Sequence, residues 1–157
     1  MQLFKAVGDG NVARVSQLVA RGADVNKRDD AQKTPLHVAA HHGHVEVARA
    51  LITQHGADKE ASAEGGMRPL HLAAFDGHVE MVRALIALHG ADKEAAAEVG
   101  MRPLHVAAMA GHVDVVRALV QLGARPNAQI DDGRTAHAIS LSSGHLHVAR
   151  FLELYIR

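Results

Sequence analysis

Apolar side chains recur at helical spacing in short segments, and polar stretches that contain glycine separate these segments. Between residues 45 and 53 the apolar positions follow a period close to 3.6, which is typical of an amphipathic helix. The pattern predicts a short helix that buries one face against neighbouring elements. The apolar positions are Val45, Val47, Ala48, Leu51 and Ile52.

A second short helix precedes this one. Pro35 suits the first turn of a helix, where a missing N–H costs nothing, and Gly43 suits the residue that ends it. The two helices therefore form a hairpin. The same signals return further along the chain, as Pro69 and Pro103 at helix starts and as Gly77 and Gly111 at helix ends.

The whole hairpin is repeated in tandem. The segment TPLHVAAHHGHVEVARALITQHGADKEA, from Thr34, returns as RPLHLAAFDGHVEMVRALIALHGADKEA from Arg68 and as RPLHVAAMAGHVDVVRALVQLGARPNA from Arg102. Looser copies open the chain and, from Thr135, close it, with steps of 34, 34 and 33 residues. We expect a single array over residues 1–157 with about five units. Their approximate bounds are 1–28, 29–62, 63–96, 97–129 and 130–157, the first and last being caps.

These motifs resemble the ankyrin repeat, whose signature is T-P-L-H-x-A-A and whose period is about 33 residues. The resemblance covers essentially the whole chain. It implies an all-α solenoid of stacked helix–turn–helix units, with β-turn fingers at right angles to the helices. The chain departs from the pattern at Arg68 and Arg102, which replace the threonine. It also departs at His55 and His89, one extra residue in each of two units.

Composition narrows the functions that such an array can have. Aromatic residues are only 3% of the chain although apolar residues are 48%, so Ala, Val, Leu and Ile must build the core. Lys plus Arg and Asp plus Glu number 17 each, so no net charge attracts nucleic acid or an anionic membrane. We expect a monomer that binds neither. The absence of cysteine favours an intracellular, cytoplasmic location, but it would equally suit an engineered or extracellular chain.

The segment HVAAHHGH, residues 37–44, contains histidines at the i,i+4 spacing of a zinc pair. The repeat separates them into columns. His41 and His42 have no histidine counterparts in other units, so we expect no metal and no cofactor. The signature histidines are His37, His71 and His105, and the resemblance implies that they bond the turn backbone between units. A second column is His44, His78, His112 and His145.

The three signature histidines lead to an expectation about pH. With pKa values near 6.5 they would become charged together on mild acidification and weaken the contacts between units. The melting temperature would then fall between about pH 7 and pH 5.

The resemblance implies that partners bind the concave face, which the fingers and the first helix of each unit form. Function is expected where the units differ. Four apolar residues cluster in the third and fourth units, namely Met67, Phe75, Met101 and Met109. Exposed Met and aromatic side chains are typical of protein-binding anchors. The predicted partner-binding residues are Lys33, His41, His42, Glu64, Met67, Phe75, Asp76, Glu98, Met101, Met109 and Arg134.

We therefore expect a noncatalytic protein-binding module. Glu64, Asp76 and Glu98 would give the apolar patch an acidic rim, so a partner protein or peptide should carry apolar anchors with basic flanks. No Ser, His and Asp converge on one place in the repeat, which argues against an enzyme. Two alternatives remain. One is a stable, engineered or consensus-like scaffold without a natural partner, and the other is a histidine-based metal-binding or pH-responsive protein.

Overall fold

The structure, a computed structural model, describes residues 2–156, which form ten α-helices in five antiparallel pairs. The sixth helix continues as a π-helical segment, Ala84–Leu88. The helices are α1 Gln2–Gly8, α2 Val12–Ala20, α3 Pro35–His42, α4 Val45–Thr53, α5 Pro69–Phe75, α6 Val79–Arg83, α7 Pro103–Ala110, α8 Val113–Gln121, α9 Ala136–Ser142 and α10 Leu146–Glu153.

The pairs stack side by side and form two rows of helices. In the inner row α1, α3, α5, α7 and α9 pack successively on one another, and the even-numbered helices form the outer row. Leu36, Leu70 and Leu104 fill equivalent places between the rows and are 0–2% exposed. Small residues such as Ala40 and Ala74, both 0% exposed, let neighbouring inner helices approach closely. This is the all-α solenoid that the resemblance to ankyrin repeats implied.

The helix boundaries follow the proline and glycine signals. Pro35 is the first residue of α3, and Gly43 ends that helix in the left-handed conformation, with φ of 73°. In the next pair α5 ends at Phe75, and Gly77 keeps the left-handed conformation two residues later. The predicted starts and stops are therefore confirmed, with α5 slightly shorter than the pattern indicated.

Four tight turns form the predicted fingers, at residues 29–33, 63–67, 97–101 and 130–134. In each, the backbone N–H of the first residue donates to the carbonyl of the fifth, as from Ala63 to Met67 at 2.8 Å. Two pairs of neighbouring fingers are also joined, since the N–H of Glu64 donates to the carbonyl of Ala31 at 3.1 Å and that of Asp131 to the carbonyl of Val99 at 2.9 Å. These bonds tie the first finger to the second and the third to the fourth.

The extra residue in two units is absorbed at the end of the outer helix. Where it is absent, the closing N–H bonds five residues back, as from Ala124 to the carbonyl of Leu119 at 2.9 Å. Where it is present, the bond reaches six residues back, from Ala91 to Leu85 at 2.8 Å. After α6 this wider turn is the π-helical segment, which is how helices accommodate a single insertion. The core register is consequently unchanged.

The signature histidines bridge consecutive units. Nδ1 of His71 accepts the backbone N–H of Arg68 at 3.1 Å, at the start of its own helix. Its Nε2 lies 3.0 Å from the carbonyl of Ala95, near the end of its own unit, and 3.1 Å from that of Met101, in the following unit. Nε2 must therefore carry the proton, and the ring is neutral. His37 and His105 are bonded in the same way and, like His71, are 0% exposed.

Arg68, which stands in place of the signature threonine, keeps part of the helix cap. Its backbone N–H still reaches the histidine, while its guanidinium donates to Oε1 of Glu60 at 3.2 Å. Arg102 does the same with its N–H, and its guanidinium donates to the carbonyl of Gln129 at 3.0 Å. Thr34 contacts the histidine of its own helix through its hydroxyl, whereas the two arginine side chains bond to residues farther away in the sequence.

The second histidine column packs backwards, onto the preceding unit. Nε2 of His78 donates to the carbonyl of His41 at 2.7 Å, and that of His44 to the carbonyl of Gly8 at 2.9 Å. The rings lie against the left-handed glycines of the preceding unit. A Cβ added to Gly77 would be 2.7 Å from Nδ1 of His112, closer than atoms can approach. Glycine is therefore required there both for its φ and for the ring that covers it.

The buried histidines make the stability of the fold depend on pH. Burial lowers the pKa of His37, His71 and His105 below 6.5, so the expectation of ordinary pKa values in the folded chain is wrong. As pH falls through 6.5 the unfolded chain binds protons first, so stability is fully present above 6.5 and is lost below it. Each histidine can contribute up to about 1.4 kcal/mol per pH unit.

We predict that the free energy of unfolding, measured with urea from pH 8 to pH 5, stays level to about pH 6.5 and then declines steeply. As a control, His71→Asn keeps an acceptor for the Arg68 N–H but removes one titrating ring. That variant should be less stable at pH 8 and should show a shallower decline. A level profile down to pH 5 would contradict the assignment.

The glycine–histidine packing gives a matched pair of substitutions. Gly144 has the same repeat position as Gly77 and a similar φ, 78° against 76°, but nothing lies within 4 Å of an added Cβ. Gly144→Ala should cost only the left-handed strain, about 1–2 kcal/mol. Gly77→Ala should cost about 1–3 kcal/mol more, because it also displaces His112. Equal losses in denaturant titrations would show that the ring contact contributes nothing.

Candidate functional site

An open, apolar groove runs between the fingers and the inner helices in the second half of the array. Its volume is about 480 Å³, and it is lined by the fingers at 63–67, 97–101 and 130–134 and by α5, α7 and α9. Its apolar lining residues are Met67, Phe75, Ala97, Val99, Met101, Val106, Met109, Ile130 and Ile139.

Two of these side chains project from the ends of inner helices. Phe75 is the last residue of α5 and is 47% exposed, and Met109, at the equivalent place in α7, is 41% exposed. The exposure expected for Phe75 is confirmed. At the same position the neighbouring units have His41 and Ser142, so the apolar character is confined to the middle of the array.

The finger methionines are held by the signature histidines. Met67 and Met101 are the residues that close the second and third fingers, and both are half-buried. Their carbonyls accept Nε2 of His37 at 2.9 Å and of His71 at 3.1 Å, respectively. The groove wall is therefore fixed by the same bonds that hold the units together.

The charged groups around the groove are not balanced. Arg134 lines the groove, and its Nε donates to Oδ2 of Asp132 at 2.9 Å. The backbone N–H of Arg134 and then its guanidinium hold the pKa of Asp132 below its usual range. Among the ion pairs within residues 2–156, none includes Glu98, which lines the groove, or Glu64, its exposed equivalent one finger earlier. The groove consequently has uncompensated negative charge.

The predicted residues divide into two groups. Those that line the groove are Met67, Phe75, Glu98, Met101, Met109 and Arg134. The other five, Lys33, His41, His42, Glu64 and Asp76, lie outside the lining. Asp76 is turned away because its Oδ2 is 2.6 Å from Nδ1 of His41, across the interface between two units. The carboxylate of Asp76, which was expected to form part of the acidic rim, is therefore paired with His41 within the protein.

His41 and His42 belong to a separate cluster of rings. Their centroids are 4.8 Å apart, and His42 stacks on His44 at 5.6 Å. Burial, followed by repulsion from His41 and His44, lowers the pKa of His42. Within residues 2–156 no group of three or more His, Asp or Glu side chains is arranged to hold a metal ion.

The predicted set omits several residues of the groove. Val99 is 62% exposed, and its place on a finger follows from the repeat register, so its apolar character was an available signal. Ser142 and Ser143 likewise occupy inner-helix positions that vary between units. Val106, Ile130 and Ile139 are buried wall residues, and nothing in a sequence pattern distinguishes them from other core positions.

Two sequence profiles match the chain. One, described as ankyrin repeats in three copies, covers residues 3–97, and another, for many copies, covers residues 104–153. Human protein phosphatase 1 regulatory subunit 27 is 47% identical over 51 residues, and its mouse counterpart is 45% identical over the same length. Each match covers 32% of this chain and 33% of the relative, so the likeness spans one third of those proteins. No helix within residues 2–156 is long and apolar enough to cross a membrane.

The exposed apolar side chains of the groove should contribute little to the fold. Phe75→Ala and Met109→Ala should each change the free energy of unfolding by no more than about 0.5 kcal/mol, as surface substitutions usually do. Met81→Ala is the control, because Met81 is 0% exposed in α6 and its truncation should cost about 2–5 kcal/mol. Comparable losses at all three positions, measured with urea, would mean that the groove residues serve packing.

Proposed function

Since the chain belongs to the ankyrin-repeat family, we propose that it is a noncatalytic module whose groove binds a segment of a partner protein. One observation carries the proposal. Phe75, Val99 and Met109 are 47%, 62% and 41% exposed and line the same groove, whereas equivalent positions in the outer units are polar or small. Exposed aromatic and Met side chains that converge in a groove are characteristic of binding anchors.

The shape of the groove favours a segment with one or two large apolar residues. Pockets of about 300–1,000 Å³ accommodate ligands of that size, and the volume here is about 480 Å³. The walls are positioned before binding, because the carbonyls of Met67 and Met101 are bonded to buried histidines. A preformed groove loses less conformational entropy when it binds.

Charge favours a partner with basic flanks. Asp30, Glu64, Glu98 and Asp131 stand at the same position of the four fingers, and all are exposed. Arg134, the cationic residue of the groove, is already neutralised by Asp132 at 2.9 Å. Lys or Arg residues beside the apolar anchors would complement this column and accelerate association.

The groove offers little for catalysis. Its polar side chains are those of Glu98, Arg134, Ser142 and Ser143, so a serine has no histidine beside it to act as a general base. The buried signature histidines use both ring nitrogens in hydrogen bonds to the backbone. These arrangements favour recognition over reaction.

The relatives give one candidate for the partner. The human and mouse relatives are named as a regulatory subunit of protein phosphatase 1. The 51 matching residues correspond to about one and a half repeat steps. We therefore include the phosphatase catalytic subunit as a defined ligand to be tested, beside peptides of unrestricted sequence.

The proposal predicts that a random peptide library panned on the protein yields sequences with one or two apolar anchors and flanking Lys or Arg. Affinities are measured by fluorescence anisotropy with the enriched peptide and, separately, with purified phosphatase catalytic subunit. Phe75→Ala combined with Met109→Ala should weaken peptide binding at least about tenfold. Glu64→Gln with Glu98→Gln should reduce the salt dependence of the affinity.

Leu154→Ala is the matched control, because Leu154 is 76% exposed but lies outside the groove lining. That variant should bind as the wild type does. Failure to enrich any peptide, or equal affinity for the double variant, would overturn the groove assignment and favour a scaffold without a partner site there. Phosphatase binding that survives the groove substitutions would place that partner elsewhere.

A further inference from the structure

Val99 has a backbone conformation that β-branched residues rarely adopt. Its φ and ψ are 52° and 23°, in the left-handed region, where the side chain crowds the backbone. Its side chain is nonetheless 62% exposed and lines the groove. The strain is therefore not offset by burial in the core.

The fold does not demand this conformation of a side chain. The second finger has glycines at both left-handed places, Gly65 and Gly66, with φ of 73° and 72°. The third finger has Val99 followed by Gly100. The first and last fingers close with a single left-handed residue, at Gln32 or Gly133. Val99 thus occupies a left-handed position of a tight turn, where glycine or asparagine is the usual residue.

The surrounding bonds keep Val99 in this conformation. Its carbonyl accepts the N–H of Asp131 at 2.9 Å, and the finger is closed by the bond from Ala97 to Met101 at 2.8 Å. The carbonyl of Met101 is in turn fixed by His71 at 3.1 Å. The backbone is held on both sides, while the valine side chain remains free to contact a ligand. Strain that is over-determined in this way and confined to a binding surface indicates a functional residue.

We propose that Val99 determines the specificity of the groove: it receives an aliphatic side chain of the bound segment, while Glu98 receives a Lys or Arg beside it. This rests on the proposed function of the groove. Since Glu98 and Val99 are consecutive and both exposed, the two ligand residues should lie within one or two positions of each other. The bound segment is therefore a peptide with adjacent aliphatic and basic residues.

The test is Val99→Asn, which creates the Asn-Gly sequence that such turns prefer and removes the apolar side chain. The midpoint of urea denaturation should rise, with the folded-to-unfolded ratio increasing about fivefold or more. Affinity for the peptide enriched on the wild-type protein should fall about tenfold. A gain in stability together with a loss of affinity is the result expected of a strained binding residue.

Two further variants separate the effect of backbone strain on stability from the effect of the side chain on peptide affinity. Gly65→Val places a valine at the equivalent position of the second finger, where its Cβ would have only ordinary contacts of 3.8 and 3.9 Å. It should lower the midpoint, because the same strain is introduced. Ala31→Asn makes the same kind of substitution on the first finger, outside the groove lining, and should leave peptide affinity unchanged.

The outcomes distinguish this inference from the proposed function. If the peptide depends on Phe75 and Met109 but binds Val99→Asn as tightly as the wild type, the groove assignment stands and the role of Val99 is refuted. If Val99→Asn is less stable than the wild type, the strain argument is refuted, whatever the peptide does. If no peptide depends on Phe75 and Met109, the proposed function fails and this inference fails with it.

Discussion

The structure depends on a neutral imidazole that is completely buried between consecutive helix pairs. Each signature histidine accepts a backbone N–H at the start of its own helix and donates to a carbonyl at or near the junction with the next unit, as His71 does with Arg68 and Met101. Both ring nitrogens are needed, so a second proton would break the first bond and place a charge in a dry interface. Apolar packing supplies most of the driving force for stacking, but this ring determines where one unit sits on the next.

The groove is a consequence of that bridge. Two of the carbonyls that accept a hydrogen bond from these histidines belong to Met67 and Met101, so the bonds that align the units also hold the groove's methionines. Variation is tolerated in two places, at the finger tips and at the exposed ends of the inner helices. An added residue is tolerated in a third place, where the outer helix ends in a π-helical segment. A rigid frame with variable edges allows a binding surface to change without disturbing the core.

The repeat made most of this fold predictable, because the same apolar, proline and glycine signals recur at every unit. Periodicity located the helices and the histidine columns, while the resemblance to ankyrin repeats implied the fingers and so grouped Met67, Phe75, Met101 and Met109. It did not reveal that Asp76 is held by His41, since that contact joins variable residues of different units. Nor did it reveal the left-handed backbone of Val99 or the lowered pKa of His71, which depend on tertiary bonds and burial.

The two histidine columns also give the array a direction. Rings such as His71 reach forward to the next unit, whereas rings such as His78 reach back to the preceding one. An inner unit therefore carries two bridging histidines, one directed to each neighbouring unit. A tandem duplication of 34 residues in register would reproduce every one of these contacts without altering a side chain. Length is thus a variable that gene duplication can change readily in this chain, while the curvature and the core stay constant.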